Sequence, residues 1–318
     1  MRNATPAGID RATAGFRRRH RTIPLACIVL LLLILGPAGR GQEESTRRPD
    51  RQVPTKPLHI IGNIYYVGQT DNSIPGSDDA SYLITTTAGH ILLDTGFETT
   101  VPQIRNNMRA LGFRFEDIKY LIHSHSHSDH VAGDALVQEA IQGIQLVAME
   151  GDADVIASGG DADFDEGRPN FKPARVDRTI QDGAELQLGG VTMVAHRTAG
   201  HTEGCTTWTT ETEENGRKYK VIFVCSARYS AGVKLVNNER YPRIAQDYAG
   251  TYRLLKSMTP DVFLASHGFF FGLVEKAQRL AQGATPNPFI DPAGYKAYIA
   301  RSESDFLAEL RKQGGAGQ

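Results

Sequence analysis

Four histidines and an aspartate fall within eight residues at His123-Ser124-His125-Ser126-His127-Ser128-Asp129-His130. The run follows Tyr120-Leu121-Ile122, an apolar stretch that reads as a short buried strand. A core does not accept such a polar cluster unless something charged is bound there, and a metal ion suits these donors. In the last six residues, H-x-H-x-D-H, His125 and His127 share one side of an extended segment and can grip one ion. Asp129 and His130 come next, at a turn, and can face a second. The tract offers overlapping H-x-H pairs, since His123 and His125 have the same spacing. A histidine-rich surface loop is the plain alternative; the internal position, the pattern and the feeding strand argue against it.

Two further histidines stand where a ligand would be useful. Thr198-Ala199-Gly200-His201-Thr202-Glu203-Gly204 puts His201 on a glycine-flanked loop after a strand, where the backbone can approach closely. His267 closes the apolar stretch Asp261 to Ser266 and repeats the arrangement of strand, then histidine. Ligand-bearing strand ends in both parts of the chain predict two similar halves facing each other across one site. Asp94 ends the strand His90 to Gly96; it can cap the next helix or hold a metal-bound histidine from behind, and the downstream histidines favour the second reading. His59 and His90 are expected as surface or hydrogen-bonded core residues, and His123 and His196, which sit beside the ligands, as ordinary packing first and as supports behind the ligands in the alternative.

The elements that position these groups alternate between strand and helix, which makes an α/β class. Strands are expected over Leu58 to Val67, Ser81 to Thr85, His90 to Gly96, Ile144 to Met149, Ala184 to Leu188 and Val191 to Ala195. Trp208 to Glu213 and Lys218 to Cys225 form a hairpin about Asn215-Gly216. Helices are predicted over Thr100 to Leu111, from near His130, over Tyr241 to Ser257, from Gly272, and over Asp291 to Lys312. The turn-rich insert from Gln69 to Asp79 reads as a solvated loop before it reads as a flap.

The N-terminus is a separate object. Arg17, Arg18, Arg19 and Arg21 precede the apolar run Ile23 to Leu35 and then Gly36-Pro37-Ala38-Gly39, so residues 1–41 read as a secretory signal, too short for a comfortable membrane span. Residues 42–56 are expected as a flexible lead-in and 57–318 as one domain, periplasmic or secreted, with no stable membrane association after signal cleavage. Of 35 basic and 36 acidic residues, seven and one fall in the first 41, leaving a net charge of −7 that two divalent cations would offset. No basic stripe remains, which excludes a nucleic-acid partner. Of three cysteines only Cys205 and Cys225 lie beyond the signal, so this is no disulfide scaffold. Two free thiols are the first expectation; a cross-hairpin disulfide is the alternative.

Together, H-x-H-x-D-H, Thr-x-Gly-His at 198–201 and the strand-end His267 resemble the metallo-β-lactamase superfamily, and most closely the third subclass of class B β-lactamases. Ile60 to Gly68, Gly204 to Trp208, and Lys234-Leu235-Val236 through Tyr241-Pro242 to Asp247-Tyr248 carry the closer likeness. The resemblance implies a four-layered αβ/βα sandwich of two similar halves with the metal site at one edge. It implies Zn2+, two ions: His125, His127 and His201 on the first, Asp129, His130 and His267 on the second. It further implies a monomer that opens the ring of a small-molecule β-lactam by hydroxide attack, with Asp129 catalytic and Ser226 in substrate contact. Lactone and thioester hydrolases of the superfamily usually carry a bridging aspartate where this chain has Phe223-Val224-Cys225-Ser226. Other lactamase subclasses place a cysteine ligand in this region, but Cys225 and Ser226 should face opposite ways on a strand. Arg228 replaces a second serine and is expected to take the substrate carboxylate. His123 stands where Asn or Thr is more usual, and Pro260 and Tyr295 stand where a C-terminal disulfide is expected. Hydrolysis of a lactone or thioester is the alternative function, and a non-catalytic zinc-binding protein a third.

Overall fold

Two mixed sheets carry the molecule, and the computed structural model describes residues 52–54, 56–71, 79–165, 167–168 and 170–314. The expected signal, most of the lead-in and residues 72–78 of the insert lie outside the described residues. The first sheet runs in the order β2-β3-β5-β6-β7-β8-β9. These strands are β2 (Leu58–Ile61), β3 (Ile64–Tyr66), β5 (Tyr82–Thr86), β6 (Gly89–Leu93), β7 (Ile118–Ile122), β8 (Gln145–Met149) and β9 (Arg178–Ile180). The second sheet, β10-β11-β12-β13-β14, comprises β10 (Glu185–Leu188), β11 (Val191–Arg197), β12 (Thr206–Glu214), β13 (Arg217–Val224) and β14 (Val262–Ala265). Separately, β1 (Gln52–Pro54) pairs antiparallel with β4 (Gln69–Asp71).

The inner faces of the sheets share one core, in which Tyr66, Ile84, Leu93 and Ile122 meet Met193, Trp208, Phe223 and Leu264. Alternate residues of the same strands go outward: Leu83, Leu92 and Leu121 pack with Val101, Ile104 and Met108 of α1 (Val101–Ala110). On the far side, Phe263 of β14 meets Tyr295 and Tyr298 of α8 (Pro292–Lys312), which packs with α5 (Ile244–Ser257) through Phe306 against Tyr248 and Tyr252. Helix, sheet, sheet and helix make the four-layered sandwich, and strands covered on both faces explain the continuous apolar runs. No helix among the described residues is long and apolar enough to cross a membrane.

Parallel pairing sets the site's location. β6 runs parallel to β7, and β13 to β14, so the C-terminal ends of each pair emerge at one edge. The remaining helices flank those ends: α2 (Ser128–Val131) and α3 (Asp134–Ala140) follow β7, α4 (Ala153–Ser158) follows β8, and α6 (Gly268–Phe271) and α7 (Leu273–Ala281) follow β14.

Several boundaries differ from expectation. Leu58 to Val67 is two strands, broken at Gly62, whose φ is +54° and where a Cβ would lie 2.1 Å from Thr212 Oγ1. One helix near His130 is two short ones, α4 was not expected, and the ends of the lead-in and of the insert pair as β1 and β4 instead of remaining loops. The Asn215-Gly216 hairpin forms as expected, with both residues at positive φ.

Cys205 and Cys225 are joined in a disulfide across 20 positions, so the free-thiol expectation is corrected. β12 pairs with β13 with Trp208 opposite Phe223, which brings the strand ends bearing both cysteines together. A loop of this length gives about 3 kcal/mol of unfolded-state restriction. Cys205→Ser/Cys225→Ser should therefore lower the denaturation midpoint without changing the far-ultraviolet circular dichroism. Alkylation of the unfolded, unreduced protein should label neither cysteine.

Candidate metal centre

Each candidate ligand leaves the end of a strand. β7 ends at Ile122 and delivers His125 and His127 on an extended segment, then Asp129 and His130 on α2. The loop after β11 delivers His201, and β14 delivers His267 at the start of α6. Ligand atoms of His125, His127 and His201 come together as one buried group, and those of Asp129, His130 and His267 as another that Asp79 joins. In the second group, His130 Nε2 lies 3.3 Å from His267 Nε2 and 3.6 Å from Asp129 Oδ2, and His267 Nε2 lies 3.9 Å from Asp129 Oδ2. The His125 and His130 rings are 4.0 Å apart, so the groups adjoin.

The outer ring nitrogens are held from behind. His201 Nδ1 donates to the Arg228 carbonyl at 2.9 Å, His130 Nδ1 meets Asp94 Oδ2 at 3.0 Å, and His267 Nδ1 lies 3.3 Å from Asp79 Oδ1. His125 Nδ1 faces Ser124 Oγ at 3.1 Å, and that hydroxyl donates to Asp94 at 2.6 Å. Such partners fix the ring and leave the other nitrogen pointing inward. Asp94 sits at φ 62° and accepts also from the Ser124 amide. Burial works against its charge, but His130 and His123 hold its carboxyl down at about 2.

The residues fit a divalent cation. His125 Nε2 and His127 Nε2 are buried with no hydrogen-bond partner, a state that calls for something to occupy the lone pair. Burial first, then the charges of neighbouring imidazoles and, for His127, Arg168, push both rings well below the ordinary histidine value. Both are therefore neutral at pH 7, the form that binds metal.

Four buried acids were not singled out in the sequence: Asp79, Asp134, Asp152 and Asp163. Asp152 accepts from the Ser126 amide at 3.0 Å, Thr202 Oγ1 at 2.8 Å and the Gly204 amide at 2.9 Å, joining the loops that carry His127 and His201. Burial lifts its carboxyl to about 7 against these donors. Asp163 Oδ2 lies 3.8 Å from His127 Nε2. The available signal was Asp94 itself: Asp152, too, lies just beyond the end of a parallel strand. His123, expected to pack without a role, lies between Asp94 and Asp134. Burial lowers its pKa, but Asp134 and then Asp94 raise it to about 9. The remaining histidines are local: His59 bonds the Gly62 carbonyl, His196 bonds Thr209, and His90 packs on Phe113.

Ser226 is buried and exchanges bonds with the backbone of Arg228, accepting from its amide at 3.2 Å and donating to its carbonyl at 3.3 Å. The Arg228 guanidinium lies over Phe269 and Phe270, 5.4 and 5.6 Å from the ring centroids. The sulfur of Cys225 is taken by the disulfide, which removes it as a ligand.

The family model for the metallo-β-lactamase superfamily matches residues 77–267. The chain belongs to the metallo-β-lactamase superfamily. Among solved structures it is similar to the FEZ-1 metallo-β-lactamase of Legionella gormanii, with 40% identity over 83% of this chain and 99% of that one and a TM-score of 0.79. The class B3 di-zinc metallo-β-lactamase LRA-12 from an Alaskan soil metagenome gives 32% identity, 84% and 99% coverage and a TM-score of 0.76. A curated relative, the mitochondrial persulfide dioxygenase of Homo sapiens, is 27% identical over 118 residues, 37% of each chain, so this chain spans little more than a third of that protein's length. The superfamily thus includes enzymes of different chemistry on one scaffold.

In this member of the superfamily, Asp152 is the tie between the two loops of the first group. Asp152→Asn should lower affinity for a first divalent cation about 10- to 100-fold. Equilibrium competition with a chromophoric chelator reads this, with unchanged circular dichroism as the control.

Proposed function

We propose that the protein is a zinc-dependent hydrolase that opens the β-lactam ring of penicillins, cephalosporins and carbapenems, of the third subclass of class B, and so confers antibiotic resistance. The observation that carries this reading is the pair of adjoining ligand groups, in a chain 40% identical to a metallo-β-lactamase over 99% of that enzyme. His125, His127 and His201 hold the first zinc; Asp129, His130 and His267 hold the second. LRA-12, described as di-zinc, supports the choice and number of ions. The strand end Phe223 to Ser226 offers no carboxylate, which favours a lactamase over the lactone and thioester hydrolases, and, with Cys225 bridged, no thiolate, which favours the third subclass over the others.

When bound, two zinc ions would supply Lewis acidity that lowers the pKa of water toward about 7 and stabilises developing negative charge. Asp129 orients the nucleophile through its carboxylate as it approaches the lactam carbonyl. Arg228 presents a fixed cation to the substrate carboxylate, its guanidinium steadied by Phe269 and Phe270. Ser226 holds the turn that places Arg228, and its hydroxyl is the second substrate contact. No covalent enzyme intermediate is required, since Ser226 has no base within hydrogen-bond reach among the described residues. The protein acts in the periplasm or outside the cell, as a monomer released from its signal.

Carbapenem hydrolysis should vanish with a chelator and return with two equivalents of zinc. Absence of turnover by the zinc-loaded protein, together with cleavage of a lactone or thioester, would overturn the proposal in favour of the alternative. No turnover of any of these substrates would leave a zinc-binding protein. Arg228→Ala should raise KM about tenfold with little change in kcat, the loss of one charge-assisted contact of about 1.5 kcal/mol; an unchanged KM removes Arg228 from substrate binding.

A further inference from the structure

His123 lies outside the two ligand groups, yet it is 5% exposed and faces two carboxylates. Its Nε2 is 3.1 Å from Asp134 Oδ2 and its Nδ1 is 3.7 Å from Asp94 Oδ1. Asp94 in turn reaches His130 Nδ1 through its other oxygen at 3.0 Å. The four side chains make a line, Asp134, His123, Asp94, His130, whose last member points into the second group. A parallel path reaches the same histidine: Thr95 Oγ1 donates to Asp134 Oδ1 at 2.8 Å and lies 3.2 Å from the His130 carbonyl, to which the Thr95 amide donates at 2.8 Å. The His123 carbonyl accepts from Trp208 Nε1 at 2.8 Å, so the backbone that carries the ring is tied to the second sheet.

Packing alone does not account for this. Asp134 is 0% exposed and Asp94 1%, and two buried carboxylates near each other are costly unless a donor or cation lies between them. An apolar residue at 123 with an apolar residue at 134 would fill the same space without that cost. Asp94 alone suffices to hold the Nδ1 of His130. What His123 and Asp134 add is a second neighbour, 3.7 Å away and beside the Ser124 amide at 2.7 Å, for the far oxygen of Asp94, the carboxylate that sets the orientation and basicity of the ring.

We propose that His123 and Asp134 form a clamp behind Asp94 that sets how tightly His130 holds the second cation, and acts less on the first group, which Asp94 reaches only through the Ser124 hydroxyl. Both are positioning residues. The inference rests on the two-cation part of the proposed function and not on the identity of the substrate.

The test compares the full chain with His123→Asn, Asp134→Asn and the double variant, loaded with zinc alone. Stepwise affinities come from competition with chelators of graded strength, and stability from the thermal midpoint. His123→Asn should weaken the second cation about 10- to 100-fold and the first by less. It is also expected to lower the midpoint, because it leaves Asp134 buried without its partner. The double variant removes imidazole and acid together, so its midpoint should recover toward that of the parent while the second affinity stays low. Recovery of both, or equal weakening of both cations, would show a pair that serves folding only and would overturn the clamp. A parent protein that binds fewer than two zinc ions would instead overturn the two-cation reading, a failure visible before any variant is made.

Discussion

A buried imidazole has two ring nitrogens facing in different directions, and a protein that holds one with a donor or acceptor must find something else for the other. In this molecule His130, His201 and His267 have their outer nitrogens held by Asp94, the Arg228 carbonyl and Asp79. His125 leans on Ser124. The consequence is that the inner nitrogens converge at one edge of the sandwich, with Asp129 beside them. The rest of the structure depends on those outer contacts, because without them each ring could rotate away and the edge would be a polar patch instead of a chelating pocket.

The sandwich supplies the edge. Two sheets stacked through Tyr66, Trp208, Phe223 and their neighbours bring the C-terminal ends of β6, β7, β11, β13 and β14 to one place. The ends of β6, β7, β13 and β14 cannot slide, since their last residues are buried and a one-residue slip would turn each side chain to the wrong face. Asp152 and the disulfide then join loops that belong to different strands, so the relative position of His127, His201 and the 226–228 turn is set by direct connections as well as by packing.

How much of this was legible in the sequence depends on distance along the chain. H-x-H-x-D-H could be read because its members are neighbours and the pattern of an extended segment leading into a turn is local. His201 could be read because it sits on a glycine-flanked loop after a strand and His267 because it ends an apolar strand, and the element order was recovered from the same apolar runs, with errors where a glycine such as Gly62 broke one. The supports could not be read so easily. Asp94 is 36 residues from His130, and Asp152 is 50 from Thr202, so their contacts exist only once the sheets are paired. The cysteines are instructive: alternation along a strand is the ground for separating Cys225 from Ser226, but β13 ends at Val224, and the partner of Cys225 depends on the register against β12. His123 could not be singled out because its neighbours in sequence give it nothing to do; its partners are 29 residues before it and 11 after.

The pairing of β1 with β4 moves the start of the folded unit from residue 57 to Gln52. Gln69–Asp71 would otherwise present an open edge on the stretch that leads toward Asp79, and bare edges invite foreign strands. The three residues Gln52–Pro54 thus act as a seam: a shortened protein beginning at Leu58 would keep every candidate ligand and both large sheets, yet leave Gln69–Asp71 without its partner strand.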